Sequence, residues 1–389
     1  MMLASSRNYK KIGQWESQRG EIAAWKSTDI ENSCWDEFLR LTPLGQFQQS
    51  SIWARAKVSE GWKPVRVIFT MDEAIVGGFQ LLERSSWWGK IGYVSKGPVV
   101  LPGALPAQYV AEMLQVVARK EWLWALVVQP PDLCEQMPAS LVAQGFILNV
   151  LTGVNEATWV NDVGGDFAMV EGRMNKTSRY QLRQARLRNV RIRDGTREEV
   201  GAFFDLMVST CRRQGVKPNP PDRKTLLALW DAASPSGAIR LTFAEHQGQI
   251  VAGLLCICFG QTVSVWKKGW TSLDRKLFAN DLLTYETLEW ANYRGYQIAD
   301  FAAFDVEVAI RLGKGEPPSP KPGISRHMFN MRFGGRAVLL PEARVFLPNP
   351  AIRSACHVVF HGKLARARER YQIVNEVRRT ASETRRPVD

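Results

Sequence analysis

The clearest alternation of apolar and polar positions lies between residues 239 and 301. Ile239, Leu241 and Phe243 alternate with Arg240, Thr242 and Ala244, the period of two expected of a half-buried strand. His246-Gln247-Gly248-Gln249 predicts a turn. The apolar run over 250–259 then predicts a central strand covered on both faces. Gly260-Gln261 interrupts it ahead of a short strand over 262–266. A polar loop over 267–279 leads to Asn280, a residue type suited to capping the amino end of a helix. The helix predicted over 281–294 sets Leu282, Tyr285, Leu288 and Ala291 on one stripe, and Gly295 ends it. Residues 296–301 read as a last strand.

The first half of the chain repeats this order. A helix is predicted over 51–58, strands over 63–70 and 75–83 around the turn Met71-Asp72-Glu73, and a third strand over 90–94. A helix over 106–120 and a buried strand over 123–129 follow. Ile75-Val76-Gly77-Gly78 matches Ile250-Val251-Ala252-Gly253 in both sequence and place within this order. A repeat this long predicts domain duplication rather than a solenoid. The expected division is a loosely ordered leader over 1–26, one α/β domain over 27–165, a second over 166–345 and a basic helical tail over 346–389.

Composition narrows the class. A chain of 389 residues, 45% hydrophobic and 23% charged, is globular and long enough for two domains. Its formal charge of +13 calls for an anionic partner. The first eighteen residues are basic without an apolar core, so no signal peptide is expected. No apolar run approaches the roughly 20 residues of a spanning helix. Six cysteines without a C-x-x-C pair read as reduced thiols in a cytoplasmic protein, and four scattered histidines suggest no metal centre. The pairs Trp87-Trp88 and Trp122/Trp124 read as interface fillers.

Positive charge concentrates over 173–197, where nine basic residues meet a single acid, Asp194. On a helix beginning near Lys176, residues Arg179, Arg183 and Arg186 share one face. Like charges so spaced repel. A bound anion would relieve that cost, and arginine suits bidentate phosphate contacts. The alternative is a solvated basic face. The tail over 351–389 is also basic, with nine Lys/Arg against four Asp/Glu. It reads either as a contact for RNA or an anionic membrane surface, or as a solvated terminal helix.

Hairpin, helix and strand in this order form the core plan of GNAT acyltransferases. Over roughly residues 46–335 the chain resembles the FemAB-type peptidyltransferases, tandem-GNAT enzymes that add amino acids from aminoacyl-tRNA to peptidoglycan precursors. Gln48-Gln49-Ser50 with Trp53, Lys57 and Gly61-Trp62 resembles that family's opening segment. Tyr93 to Gly97-Pro98 resembles its strand ending in G-P, and Arg179, Arg183, Ala185 and Val190 resemble its basic helix. Arg275, Leu282-Leu283, Glu286 and Asp300-Phe301 resemble a third block, and Phe329 with Phe333-Gly334-Gly335 its closing F-K-x-x-F-G-G. Asn189 replaces a glycine usual in the family.

The resemblance implies an α/β (α+β) fold of tandem duplicated GNAT-like acyltransferase domains with a C-terminal basic helix. It also implies direct attack of an acceptor amine on an acyl ester, without a cofactor. Lys57, Lys176, Arg179, Arg183 and Arg275 would hold a phosphorylated envelope precursor. The closing F-K lysine would stabilise the oxyanion, but Asn330 occupies that position here. Asn330, Lys267 and Asp300 are the expected acyl-transfer centre. Lys267 adjoins Lys268, either of which can face the cleft, and a strand-end Asp300 can instead cap a turn.

Three functions follow. The first is aminoacyl transfer from tRNA. The second is N-acyl transfer from acyl-CoA or a carrier protein in envelope or exopolysaccharide biosynthesis, although segment 269–279 lacks the glycine-rich turn of CoA-dependent GNAT enzymes. The third is a non-catalytic module that binds RNA or another anion. DNA is not an expected partner. Localisation is expected in the cytoplasm, peripheral at the inner face of the membrane.

Overall fold

In the computed structural model, residues 9–17, 20–87, 89–132, 134, 136–319 and 324–383 are described. The chain forms two units, the first of residues 1–156 and 340–389 and the second of residues 157–339. Each unit is a mixed sheet flanked by helices, and the two sheets share a strand plan.

In the second unit the sheet runs in the order Arg191–Asp194, Ile239–His246, Gln249–Phe259, Thr262–Trp270, Ile298–Asp300, Ala157–Asp162 and Arg336–Leu339. Thr262–Trp270 and Ile298–Asp300 are parallel and joined by the helix Ala279–Tyr293, while the other pairs are antiparallel. The central strand Gln249–Phe259 is buried from Val251 onward, as its unbroken apolar run requires. Burying each of Leu254, Leu255, Ile257 and Phe259 contributes roughly 1.5–3 kcal/mol.

The first unit repeats this plan with Lys63–Met71, Ala74–Ser86, Gly89–Ser95, the helix Ala107–Lys120 and the parallel strand Leu123–Gln129. The next strand along the sheet is Arg344–Phe346, which comes from beyond the second unit in sequence. Its counterpart in the second unit is Ala157–Asp162, from just beyond the first. Each copy is completed by the strand that follows the other. Duplication is therefore visible in topology as well as in sequence.

Several expectations are corrected. The stretch read as a loose leader forms the antiparallel strands Lys10–Ser17 and Gly20–Ser27, and the second pairs with Lys63–Met71 at the sheet edge. The tail expected over 346–389 does not stand apart, because Arg344–Phe346 enters the first sheet. The helices Pro350–Val359 and His361–Glu383 follow it in the same unit. The short strand expected over 262–266 extends to Trp270, so Lys267 and Lys268 lie on a strand and not in a loop.

Asn280 does not cap its helix. It lies inside the first turn, behind Phe278 in a left-handed conformation. The carboxylate of Asp274 accepts instead from the Asn280 backbone N–H at 2.7 Å and from its side-chain amide at 2.8 Å. Asp274 precedes the first helical residue by five positions, further than a cap read from local spacing would be sought.

Candidate functional site

One parallel junction comes apart in the second unit and stays closed in the first. Thr262–Trp270 pairs with Ile298–Asp300 only as far as Ser264 opposite Asp300. Beyond that point the chain follows its other neighbour: Phe301 N–H donates to the Trp159 carbonyl at 2.8 Å, and Phe304 N–H to that of Ala157 at 2.9 Å. The ladder between these two strands ends there, and the sheet splits. On the opposite side the pairing register slips between Leu255 and Cys256, so Trp266 is an extra residue and the strand bulges.

In the first unit Gly89–Ser95 stays paired with Leu123–Gln129 to its end, Ser95 opposite Gln129. Where Gly89–Ser95 leaves its other neighbour, past Tyr93 opposite Leu82, the buried side chain of Gln49 fills the gap. Its amide donates to Ser95 O at 2.7 Å and Gln80 O at 3.2 Å, and its oxygen accepts from Gln80 N–H at 2.7 Å. The Q-Q-S motif is thus architectural: Gln49 closes the first copy, and Ser50 caps the helix Ser51–Val58.

Lys268 stands on one lip of the split in the second unit. The residue keeps part of its surface open, while its ammonium lies 3.4 Å from the Thr284 hydroxyl, 4.9 Å from the Phe301 ring centre and 4.7 Å from that of Phe329. Burial pulls its pKa down to about 8, against the opposing effects of the Cys256 thiol and of Asp281 and Asp274. Burial likewise pushes the Asp281 carboxyl up to about 6, with Arg332 opposing. Arg332 donates to Asp281 Oδ1 at 3.0 Å and to Gln181 Oε1 at 2.6 Å. It thereby ties the closing segment to the amino end of the central helix and to the basic helix.

The closing glycines have a steric reason. Gly335 has φ +94, and a Cβ there would overlap the Asn161 side chain and the Val160 carbonyl. Asn189, standing where the family usually has glycine, has φ 56, a conformation asparagine tolerates better than most residues.

The sequence-predicted residues distribute as follows. Lys267 adjoins Lys268, and strand alternation turns it toward the other face of the sheet, with its ammonium 4.8 Å from the Trp266 ring centre. Asn330 is buried on the helix Ile324–Met331, next to Phe329, whose ring meets Lys268. Asp300 is bound inside the fold: its Oδ1 accepts from the Thr158 hydroxyl and, at 2.8 Å, from Ala302 N–H. It thereby braces Ala302 and Ala303, whose φ values of 49 and 37 are unusual for alanine. Asp300→Asn preserves that oxygen and is expected to change initial rates by less than about threefold. A loss of roughly 10² or more would return Asp300 to proton transfer.

Lys176, Arg179 and Arg183 lie exposed on the helix Lys176–Leu187, which packs along the central helix. Among the described residues no carboxylate pairs with Arg179 or Arg183, whereas Arg186 reaches Glu286 at 3.6 Å. Arg275 is exposed on the helical turn Asp274–Leu277. Lys57 belongs to the first unit, bound to Glu60 at 2.6 Å and stacked over Trp53. Sequence reasoning missed Arg332, Asp281 and Asp274. The available signal was their polarity within segments otherwise committed to the core.

A GNAT acetyltransferase domain model matches residues 172–307, all within the unit that carries the split. The chain is 23% identical over 235 residues to a lipid II:glycine glycyltransferase of Staphylococcus saprophyticus subsp. saprophyticus, covering 55% of this chain and 54% of that protein. It is 22% identical over 292 residues to a UDP-N-acetylmuramoylpentapeptide-lysine N(6)-alanyltransferase of Weissella viridescens, covering 70% and 84% respectively. A crystal structure of FemX superposes with a TM-score of 0.72 at 16% identity, over 85% of this chain and 99% of that one. The protein therefore has the tandem GNAT-like fold of acyltransferases. Within that class it is similar to the FemAB-type peptidyltransferases, and the resemblance read from the sequence is borne out.

Proposed function

We propose that the protein transfers an aminoacyl group from a charged tRNA to an amine of a phosphorylated, peptidoglycan-type precursor. The observation that carries this reading is the Lys268 ammonium, enclosed at the parallel junction where the second unit's sheet opens. The acceptor nitrogen attacks the ester carbonyl, a C–N bond forms, the ester C–O bond breaks, and the amine proton leaves with the departing oxygen. A preorganised cation beside the carbonyl oxygen stabilises the charge that develops there. Lys268 supplies that cation in place of the lysine absent at 330.

Asp274 favours tRNA over acyl-CoA as donor. GNAT enzymes that use CoA wrap its pyrophosphate at the amino end of the central helix. Here the Asp274 carboxylate already accepts from Asn280 at that end. A second anion would meet charge repulsion and fewer free N–H groups. Arg179 and Arg183 grip the acceptor phosphate, with Lys176 and Arg275 as further cations of the same unit. Six free cysteines fit a reducing, cytoplasmic setting. Among the described residues no helix is long and apolar enough to cross a membrane.

The test is a donor screen. Charged tRNAs and acyl-CoAs are incubated with lipid-linked and nucleotide-linked muropeptides, and products are read by mass. An aminoacyl gain abolished by RNase is expected. An acyl gain from CoA in the presence of RNase would overturn the choice of donor. Arg179→Ala combined with Arg183→Ala is expected to raise the acceptor KM at least about tenfold with little change in kcat. An unchanged KM would remove these residues from the phosphate site.

A further inference from the structure

We infer that the end of the first unit's sheet bearing Trp87 and Trp122 docks onto an anionic lipid bilayer. Trp87 lies in the turn between Ala74–Ser86 and Gly89–Ser95, and Trp122 immediately precedes Leu123–Gln129. Lys90 and Leu123 are register partners across the parallel pair, so the two tryptophans project from neighbouring positions at one end of one sheet. They are 82% and 86% exposed, against the tendency of so large an apolar surface to be covered. Trp62 lies at the same end, beside the register pair Lys63 and Glu83, with the Arg84 guanidinium stacked 4.6 Å over its ring.

Charge at this end is one-sided. Glu83 is bound to Lys90 at 3.1 Å, Glu60 to Lys57 at 2.6 Å, and Glu121 to Lys26. Lys63, Arg84 and Lys120 are exposed and meet no carboxylate among the described residues. Exposed tryptophan interleaved with unpaired cations suits the headgroup layer, where the indole body enters the acyl boundary and its N–H stays in the polar zone. The cations add attraction to anionic headgroups. Nucleic acid would also answer to the cations, so RNA binding is one outcome of the test below. With both tryptophans exposed beside the cations, a bilayer is the partner this surface fits. The inference goes beyond the proposed reaction and stands without it.

The test is co-sedimentation of the full chain with phosphatidylcholine vesicles, with and without phosphatidylglycerol. The wild-type protein is expected to bind only the anionic vesicles. Trp87→Ser combined with Trp122→Asn should reduce binding about tenfold. Asparagine is chosen at 122 because φ there is 56. Lys63→Glu with Arg84→Glu should reduce binding similarly, as should raised salt. Both double variants should retain the wild-type rate on a water-soluble acceptor, which separates this inference from the proposed reaction. Wild-type vesicle binding by the tryptophan variant would overturn the inference. So would loss of binding only on Lys363→Glu with Arg366→Glu in the terminal helix, or loss of RNA rather than vesicle binding in the rim variants.

Discussion

Replacing Lys268 with methionine is expected to lower kcat by roughly 10²–10³, the loss typical of removing one preorganised oxyanion donor. The melting temperature should hold or rise, because methionine refills an apolar enclosure and removes a charge that burial disfavours. The sign of the pH dependence separates the possible roles. The pKa of Lys268 is lowered to about 8, so its ammonium is present below that pH and lost above it. If the ammonium stabilises the oxyanion, kcat declines as pH rises through about 8. If the neutral amine acts as base, kcat rises over the same interval, and the assignment fails. A relocation experiment sharpens the point. Lys268→Met combined with Asn330→Lys should recover part of the lost activity, since residue 330 directly follows the ring that Lys268 contacts. Recovery with the family's own lysine position would show that one cation serves from either place. No recovery, with the fold intact, would mean that Lys268 does something a lysine at 330 cannot.

Arg66→Ala is expected to destabilise the first unit by about 3–5 kcal/mol, the range for breaking a buried charged network by removing one partner. Arg66 is fully buried. Its guanidinium donates to Gln80 Oε1 at 2.9 Å, Asp29 O at 2.8 Å, Ile30 O at 2.7 Å and the Ser51 hydroxyl at 3.0 Å. Asp36, itself accepting from Ser51 N–H at 2.7 Å, supplies the nearby negative charge. Burial brings the arginine pKa down to about 10, so it remains charged at neutral pH. Removing it takes a donor from two carbonyls, an amide oxygen and a hydroxyl, and takes the neighbouring positive charge from Asp36. A unit of this size should then melt about 6–20 °C lower by calorimetry. Arg66→Lys should recover little, because an ammonium cannot present the planar fork these partners require. A shift under about 2 °C for Arg66→Ala would show that the network is not a hub of stability.

The duplication, the order of strands and helices, the basic helix and the closing glycines were legible in the sequence because each is written locally. Period two over 239–244, the unbroken apolar run over 250–259 and the stripe from Leu282 to Ala291 are read within a dozen residues. The candidate site was legible only in part. Lys267 and Lys268 were visible as a pair, but which of them faces the split depends on the bulge at Trp266, a matter of register across strands. Asp300 has the strand-end position of a catalytic acid, yet its partner Thr158 comes from a strand distant in sequence. Arg332 gains its meaning only from Asp281 and Gln181, on two other helices.

By itself the sequence determined two copies of one α/β plan, a strongly basic helix early in the second and a missing lysine at 330, because periodicity, composition and motif order need no distant partner. Tertiary structure decided the rest. It closed the first copy with Gln49 and opened the second beyond Ser264, and it carried Arg344–Phe346 back into the first sheet. It also set the ammonium of Lys268 between Phe301 and Phe329. The physical reason is the same in each case. Strand pairing and burial are satisfied between residues far apart in the chain, and the side chains left at an unpaired edge are fixed only once those pairings are made.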